Sequence, residues 1–274
     1  MNSFYAIEPS PMLIPFVKQY WFVSLDDIAK GYQRLLPFGY AGVTFHRTKH
    51  NNLLDGNRLP VSYISGQSTQ YSKLVFNGRI NFISVIFHPV GAMLFFDMAM
   101  SEITDRHIPV EDLKNRSMTE LENRLTETED NGKCIELIER FLIKSLCKNQ
   151  DREDYRLAAT INSIHNGVND ISSLAQTVCL GYKQFKRKFY DQVGINPKDY
   201  IRIKRFQQAA YIIQSNRTTT LEQLADNCNY YDKSHLIKDF KEFSGHTPGE
   251  YLSHCDPYSG YHALFRSAFL NSTP

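Results

Sequence analysis

Between Pro197 and Gln214 the apolar residues Tyr200, Ile203, Phe206, Ala210 and Ile213 return every three or four positions, with Arg202, Lys204, Arg205, Gln207 and Gln208 in the gaps. That period predicts one long helix of about 16 residues, ~24 Å from end to end. The same punctuation stands on both sides of it. Upstream come Leu174-Ala175, Phe189 and Gly194-x-x-Pro197-x-x-Tyr200; downstream come Leu224-Ala225, Phe240 and Gly245-x-x-Pro248-x-x-Tyr251, an offset of 50 to 51 residues. Two related units joined by a rod hold a fixed separation, of the order of one DNA turn, ~34 Å.

The rest of the C-terminal third is helical by the same criterion. Leu157, Ile161 and Ile164 stripe a first helix that stops at Asn166-Gly167, and Asp170 caps a short second one. Tyr182 to Gln192 buries Phe185 and Phe189 and turns Lys183, Lys186, Arg187 and Tyr190 outward. In the second unit Thr220 and Gln223 form a capping box, and the helix from Asp232 to Phe243 buries Leu236, Phe240 and Phe243, leaving Ser234, Ile237, Lys238 and Lys241 outside.

Residues 1 to about 110 change period. Gln19 to Ser24, Gly42 to His46, Pro60 to Gly66 and Ile80 to Phe87 are short aromatic and β-branched runs divided by Gly, Pro and Asn, the pattern of a small sandwich or open barrel. Ala92 to Met100 reads as a short helix closing one end, and 101 to 113 as loop and turn. From Thr119 to Cys147 the pattern is helical, with a stripe at Ile135, Ile138, Leu142 and Leu146 that suits the barrel, the C-terminal domain or a second subunit equally. The expected organisation is a two-domain α+β chain. A β-rich sensor or dimerisation domain with a trailing helix takes 1–148, a polar linker 149–154, an all-α domain of two helix-turn-helix units 155–253, and a tail 254–274.

Charge sharpens this picture. Net charge is only +2, but from Lys183 to Arg205 eight Lys and Arg face two acids, while from Glu111 to Asp154 twelve acids face eight bases. A basic segment in an otherwise balanced chain is the footprint of a polyanion-binding module. Cys134, Cys147, Cys179, Cys228 and Cys255 are scattered, without CxxC spacing, and are expected as buried thiols. No apolar run is long enough to span a bilayer and no leader pattern opens the chain, so a cytoplasmic location and no membrane partner are expected.

A short helix, a tight turn and a second helix with a cationic outer face fit the helix-turn-helix, whose second helix enters the major groove of double-stranded DNA. Lys and Arg suit phosphates or guanine O6 and N7, Ser either kind of base edge, and Ile237 a thymine methyl. The expected DNA contacts are Lys183, Gln184, Lys186, Arg187, Tyr190, Ser234, Ile237, Lys238 and Lys241, with Arg202 and Arg205 on the connecting helix in a positional or structural role. The first unit is expected to read more bases, because Asp232, Asp239 and Glu242 dilute the charge of the second.

Residues 155 to 252 resemble the double helix-turn-helix domain of the AraC/XylS family of bacterial transcription regulators. The resemblance rests on Leu174-Ala175, Phe185-x-Arg187-x-Phe189, Gly194-x-x-Pro197-x-x-Tyr200, Arg205 with Ala209, Leu224-Ala225, His235-Leu236, Phe240-Lys241 and Gly245-His-Thr-Pro248-x-x-Tyr251. Gly181 stands where Ser usually caps the first recognition helix, Asn229 replaces a Gly, and Leu252 replaces an Arg. Pro15-x-x-x-x-Tyr20-Trp21, Leu36-Pro37-x-Gly39, Ser65-Gly66-Gln67, Phe87-x-Pro89-x-Gly91 and Glu102-Ile-Thr-Asp105 are similar to an uncharacterised N-terminal domain of such regulators. The resemblance implies an activator that works with RNA polymerase, no enzymatic activity and no cofactor. A small-molecule effector and a homodimer are open to it.

For an effector, Tyr20, Trp21, Phe38, Tyr40 and Phe45 are the candidate apolar lining, against a plain core role. His46, His50, His88 and His107 invite comparison with cupin enzymes but lack the HxH and following Glu of such metal sites, so no metal and no catalytic residue are assigned. The competing readings are a cupin-like enzyme, or a domain that binds a protein partner, fused to the same DNA-binding unit.

Overall fold

A computed structural model describes residues 3–96, 98–148 and 156–254. Among them eight strands form one antiparallel sheet: β1 (Ser3–Ile7), β2 (Val17–Leu35), β3 (Ala41–His46), β4 (Leu53–Leu54), β5 (Asn57–Arg58), β6 (Ser62–Ser65), β7 (Ser72–Phe87) and β8 (His107–Pro109), in the order β1-β2-β7-β3-β6-β8, with the β4–β5 hairpin attached to β7. The register Tyr20↔Val85, Val43↔Val85 and Val43↔Ile64 puts these side chains on one face. Strand period two then sorts the sheet. Tyr20, Phe22, Val43, Phe45, Ile64, Ile83, Val85 and Phe87 enter the main N-terminal core, whereas Trp21 and Ile86 face the other way. On that other face Thr44 and Ser84, paired in register, share a buried hydroxyl–hydroxyl bond of 2.7 Å.

The core face is covered by two helices where a single pattern is predicted, α1 (Arg116–Glu127) and α2 (Asn131–Lys148). The break at 128–130 is bracketed by Arg47, which donates to the carbonyls of Thr128 and Glu129 and to Asn131 Oδ1. The buried stripe of α2 is Cys134, Ile138, Leu142 and Leu146, with Ile135 only half-buried, and it packs on the sheet. The short helix expected at 92–100 is two 3₁₀ turns, Ala92–Leu94 and Met100–Ile103, and strand β8 runs where loop is predicted. Two motif glycines explain themselves here: a Cβ on Gly66 falls 2.1 Å from the Ile103 carbonyl oxygen, and one on Gly91 falls 2.3 Å from that of Phe16.

The C-terminal part is α3 (Arg156–His165), α4 (Ile171–Thr177), α5 (Tyr182–Val193), α6 (Pro197–Ser215), α7 (Leu221–Asn227), α8 (Lys233–Ser244) and α9 (Pro248–His254). Its own core gathers Leu157, Phe185, Phe189, Tyr200, Phe206, Phe240 and Tyr251 around α6, and Leu36 joins it from the N-terminal part. The 19 residues of α6 span ~28 Å. Asn196 caps it and Pro197 opens it, where a missing N–H costs nothing. The predicted stripe is buried, and so is Gln207, which donates to the Pro37 carbonyl at 2.9 Å. The linker at 149–154 and all but the first residue of the tail at 254–274 lie outside the described residues, as does Cys255. Cys134 and Cys228 are buried as expected, but Cys147 and Cys179 are exposed.

Candidate nucleic-acid interface

Each helix pair is built from local signals. The Asp170 carboxylate accepts from Ser173 N and Oγ, both at 2.7 Å, and starts α4. In the second unit Thr220 and Gln223 exchange both bonds of the capping box at the start of α7. The turns that follow reach the left-handed region at equivalent places, Cys179 with φ 54° and Asn229 with φ 56°. Asn adopts this conformation at little cost, whereas Cys pays for it. The longer helices end alike too, at Gly194 with φ 98° and Gly245 with φ 71°.

On α5, Phe185 and Phe189 are fully buried and 5.7 Å apart, and the other side carries Lys183, Gln184, Lys186, Arg187 and Tyr190, all exposed. On α8, Leu236, Phe240 and Phe243 are buried, while Ser234, Lys238 and Lys241 are exposed and Ile237 is half-buried. Tyr182 and Tyr231, not among the residues picked out from sequence, stand exposed at the start of these two helices. Tyr231 is 90% exposed with its ring edge-on to His235, too open for a core role. For Tyr231 the signal was an aromatic directly before the capping Asp232, whereas Tyr182 is the first residue of α5, behind the uncapped Gly181.

Arg202 and Arg205 turn inward. Arg202 donates to Asp239 Oδ1 at 2.7 Å and to both Glu242 carboxylate oxygens at 2.7 and 3.0 Å, with its guanidinium over the Phe243 ring. Arg205 donates to the Asn229 carbonyl at 3.1 Å and lies over the Tyr230 ring, bracing the left-handed turn. The three acids of α8 and its cap, Asp232, Asp239 and Glu242, all have partners. Asp239 is buried and Glu242 is held by Arg202, while Asp232 accepts from the His235 N–H as the cap of α8. Asp239 is thus withdrawn from the outer face, while Glu242 and Asp232 have partners but remain at the surface.

The sheet domain touches both units at the helix ends opposite their starts. The Thr104 hydroxyl donates to the Gly194 carbonyl, and Arg34 donates to the Ser244 carbonyl at 2.7 Å. Of the aromatic candidates in the sheet, the structure separates two from three. Tyr20, bonded to Glu139, and Phe45 lie in the main core. Trp21, Phe38 and Tyr40 come together on the opposite face, with centroids 5.8 and 5.9 Å apart. The histidines do not converge. His46 and His50 have ring centroids 3.8 Å apart and tilted by 46°, with His46 pushed down to about 3 by burial and its neighbour, His107 is edge-on to Tyr63, and His88 feels the charges of Lys18 and Lys204. Among the described residues no group of three or more His, Cys, Asp or Glu is placed to hold a metal ion, and no helix is long and apolar enough to cross a membrane.

Residues 174–254 match the model of a helix-turn-helix domain, and residues 5–109 match a domain of unknown function, DUF6597. The uncharacterized HTH-type transcriptional regulator YidL of Escherichia coli (strain K12) is 22% identical over 157 residues, 54% of this chain and 52% of that protein. The arabinose operon regulatory protein of Salmonella typhimurium is 28% identical over 87 residues, 32% of this chain and 31% of its own. The chain thus spans about half or less of the length of these curated relatives. A solved structure of ToxT from Vibrio cholerae is similar over 86% of this chain and 97% of that one, at 12% identity and a TM-score of 0.45. The helix-turn-helix match begins within α4, the first helix of the first unit.

Proposed function

We propose that this chain is a sequence-specific transcription regulator that docks α5 and α8 in successive major grooves on one face of a duplex. The observation that carries the reading is the repeated helix-turn-helix around α6, with the two exposed faces Lys183–Tyr190 and Ser234–Lys241. In this reading Lys183, Gln184, Lys186, Arg187 and Tyr190 face bases and phosphates from the first unit, and Ser234, Ile237, Lys238 and Lys241 from the second. Arg202 and Arg205 hold the second unit in shape. The N-terminal sheet serves as the effector or dimerisation domain, and regulation is by activation through RNA polymerase. The chain acts as a regulator and not as an enzyme, in the cytoplasm of a bacterium.

Selection of bound sequences from random duplexes, followed by a salt titration on the selected site, tests this. With about six phosphate contacts, affinity falls roughly 10³-fold between about 50 and 200 mM salt. Failure to enrich any sequence, or a flat salt profile, would overturn the reading.

A further inference from the structure

The core face of the sheet changes character at one end. Its cross-strand rows run Ile7–Tyr20–Val85, then Tyr5–Phe22–Ile83, and the next is the polar row Ser3–Ser24–Asn81. A cleft of about 370 Å³ opens there, lined by this row, by the Tyr5 and Phe22 rings, by Arg47, and by Glu129 and Asn131 at the break between α1 and α2. The two rings are stacked at 5.1 Å and 6°, an apolar wall. Asn131 accepts from Arg47 Nη1 at 2.7 Å and donates to the Tyr5 hydroxyl, which keeps its own proton for another acceptor. Every bond of the half-buried Arg47 goes to an uncharged oxygen, those of Thr128, Glu129 and Asn131. Glu129 lends it only a main-chain carbonyl. Neither Arg47 nor the Glu129 carboxylate has an ion-pair partner among the described residues, whereas Arg79, which also lines the cleft, has an interaction of its own.

We propose that this cleft binds a small zwitterion of the amino-acid type, its carboxylate on Arg47 and the Tyr5 hydroxyl, its ammonium on Glu129, and its side chain against the Tyr5 and Phe22 rings. The two unpaired charges decide the ligand class. A neutral polyol leaves both of them unanswered, and a plain carboxylate that suits Arg47 meets the like charge of Glu129; a ligand carrying both signs satisfies each. The planar guanidinium matches a carboxylate, and the hydroxyls and amide of Ser3, Ser24 and Asn81 supply partners for the remaining polar atoms. The volume lies in the range of small-molecule pockets, and the ring wall gives the apolar contact such pockets need. The cleft continues the face that carries Tyr20 and Phe22, opposite Trp21 and Ile86, so it is separate from the side of the sheet where Pro37 meets α6. An occupant touches the turn that Arg47 braces between α1 and α2. This names a site and a ligand class for the effector reading of the sheet domain, and rests on that reading for its regulatory meaning alone.

The probe is L-phenylalanine, titrated calorimetrically into the full-length protein and followed in its backbone amide NMR spectrum. The controls are 3-phenylpropionate, which lacks the ammonium, phenethylamine, which lacks the carboxylate, and glucose. Saturable binding of phenylalanine is expected, with a Kd of about millimolar or tighter and with amide shifts centred on Tyr5, Asn81 and Asn131. Each control binds about tenfold more weakly or less, the worth of one charge-assisted bond. Glu129→Gln, at an exposed position whose main-chain bond to Arg47 is kept, weakens phenylalanine about tenfold and leaves 3-phenylpropionate no weaker. Tyr5→Phe keeps the ring wall and weakens phenylalanine and 3-phenylpropionate together, but not phenethylamine. A merely structural role for either residue would shift all probes alike. Equal binding of a single-charge control, unchanged phenylalanine affinity in Glu129→Gln, amide shifts confined to the opposite face of the sheet, tighter binding of glucose, or no saturable binding would each overturn the proposal. DNA is absent from the assay, so none of these outcomes bears on the DNA-binding reading, whose own failure shows in the sequence selection.

Discussion

Lys204→Met sets two opposed effects against each other at one atom. Lowering the ammonium from 10.5 to about 7 corresponds to about 4–5 kcal/mol against the charged form. Against this stand two ring faces, at 4.5 and 5.7 Å, worth about 0.5–1 kcal/mol each, and the bond to Gln207, worth about 1 kcal/mol. Lys204 is only partly buried by its surface exposure, so solvent relaxation trims the burial cost further. The variant is therefore expected to be about 1–2 kcal/mol more stable at pH 6. The sign with pH follows from a lowered lysine. Below about pH 7 the folded and unfolded chains both carry the charge, and the wild type bears the full cost. Above it the folded chain sheds the proton first, the unfolded chain binds more protons, and wild-type stability rises. The gain from Met should shrink toward zero by about pH 9. The buried His88 and His165 also titrate, costing stability as pH falls below about 6.5; burial, the larger cause, acts in both proteins, while the share due to the Lys204 charge is absent from the variant and adds to its advantage at low pH. Urea denaturation followed by Trp21 fluorescence at pH 6, 7.5 and 9 measures the difference. A less stable variant at pH 6, or a gap independent of pH, would mean that the ring contacts outweigh burial and that the reasoning fails.

Arg202→Met should cost about 3–5 kcal/mol by leaving Asp239 buried and unpaired, and the double variant Arg202→Met with Asp239→Leu should recover most of it. A thermal melt unchanged by the single variant would show the pair to be dispensable. Cys179→Gly should gain about 0.5–1 kcal/mol by relieving a left-handed residue, while Asn229→Gly should be close to neutral; calorimetry of both decides. Arg187→Ala should lose about 1–3 kcal/mol at one base pair and relax the preference there. Uniform weakening across all sequences would make Arg187 a phosphate contact.

The parts of the fold that sequence foretold are those set by local rules. The stripe of α6, the capping box at Thr220–Gln223 and the glycine stops need only period and cap chemistry, and the repeat needs only an offset. Where position depends on a distant segment, sequence reading went astray. Gln207 and Lys204 were placed on a polar face by residue type, but that face is covered by the Pro37–Tyr40 segment. Asp239 counted as a surface acid because nothing local reveals Arg202, 37 residues away, against which it is buried. For the five aromatics near the N-terminus a core role stood beside a lining; Tyr20 and Phe45 take the core role, and strand alternation sends Trp21 to the opposite face. The β4–β5 hairpin did leave a signal, Asp55-Gly56 with both residues at positive φ, but its two-residue strands are too short for a periodicity to appear.

The contacts at the ends of α5 and α8 bear on how the two units are held. Gly194 and Gly245 are equivalent caps of α5 and α8, and the sheet domain grips beside both, by Thr104 at one and Arg34 at the other, while Gln207 is tied to Pro37 midway along α6. A Cβ on Gly194 would stand 3.0 Å from the Met100 carbonyl oxygen, and one on Gly245 would stand 2.7 Å from the Tyr71 ring, so both approaches are close. Neither grip covers Lys183, Lys186, Arg187, Lys238 or Lys241, which stay exposed. A hold that fixes orientation without masking the outer faces acts as pre-organisation, lowering the ordering cost of docking both helices at once. Thr104→Val with Arg34→Met should therefore leave each core folded but loosen the last turns of α5 and α8, seen as faster amide exchange there. DNA affinity should drop about three- to tenfold, mainly through faster dissociation. An increase in affinity would refute the argument, because it would mean that the sheet domain restrains the two units in an arrangement DNA does not accept.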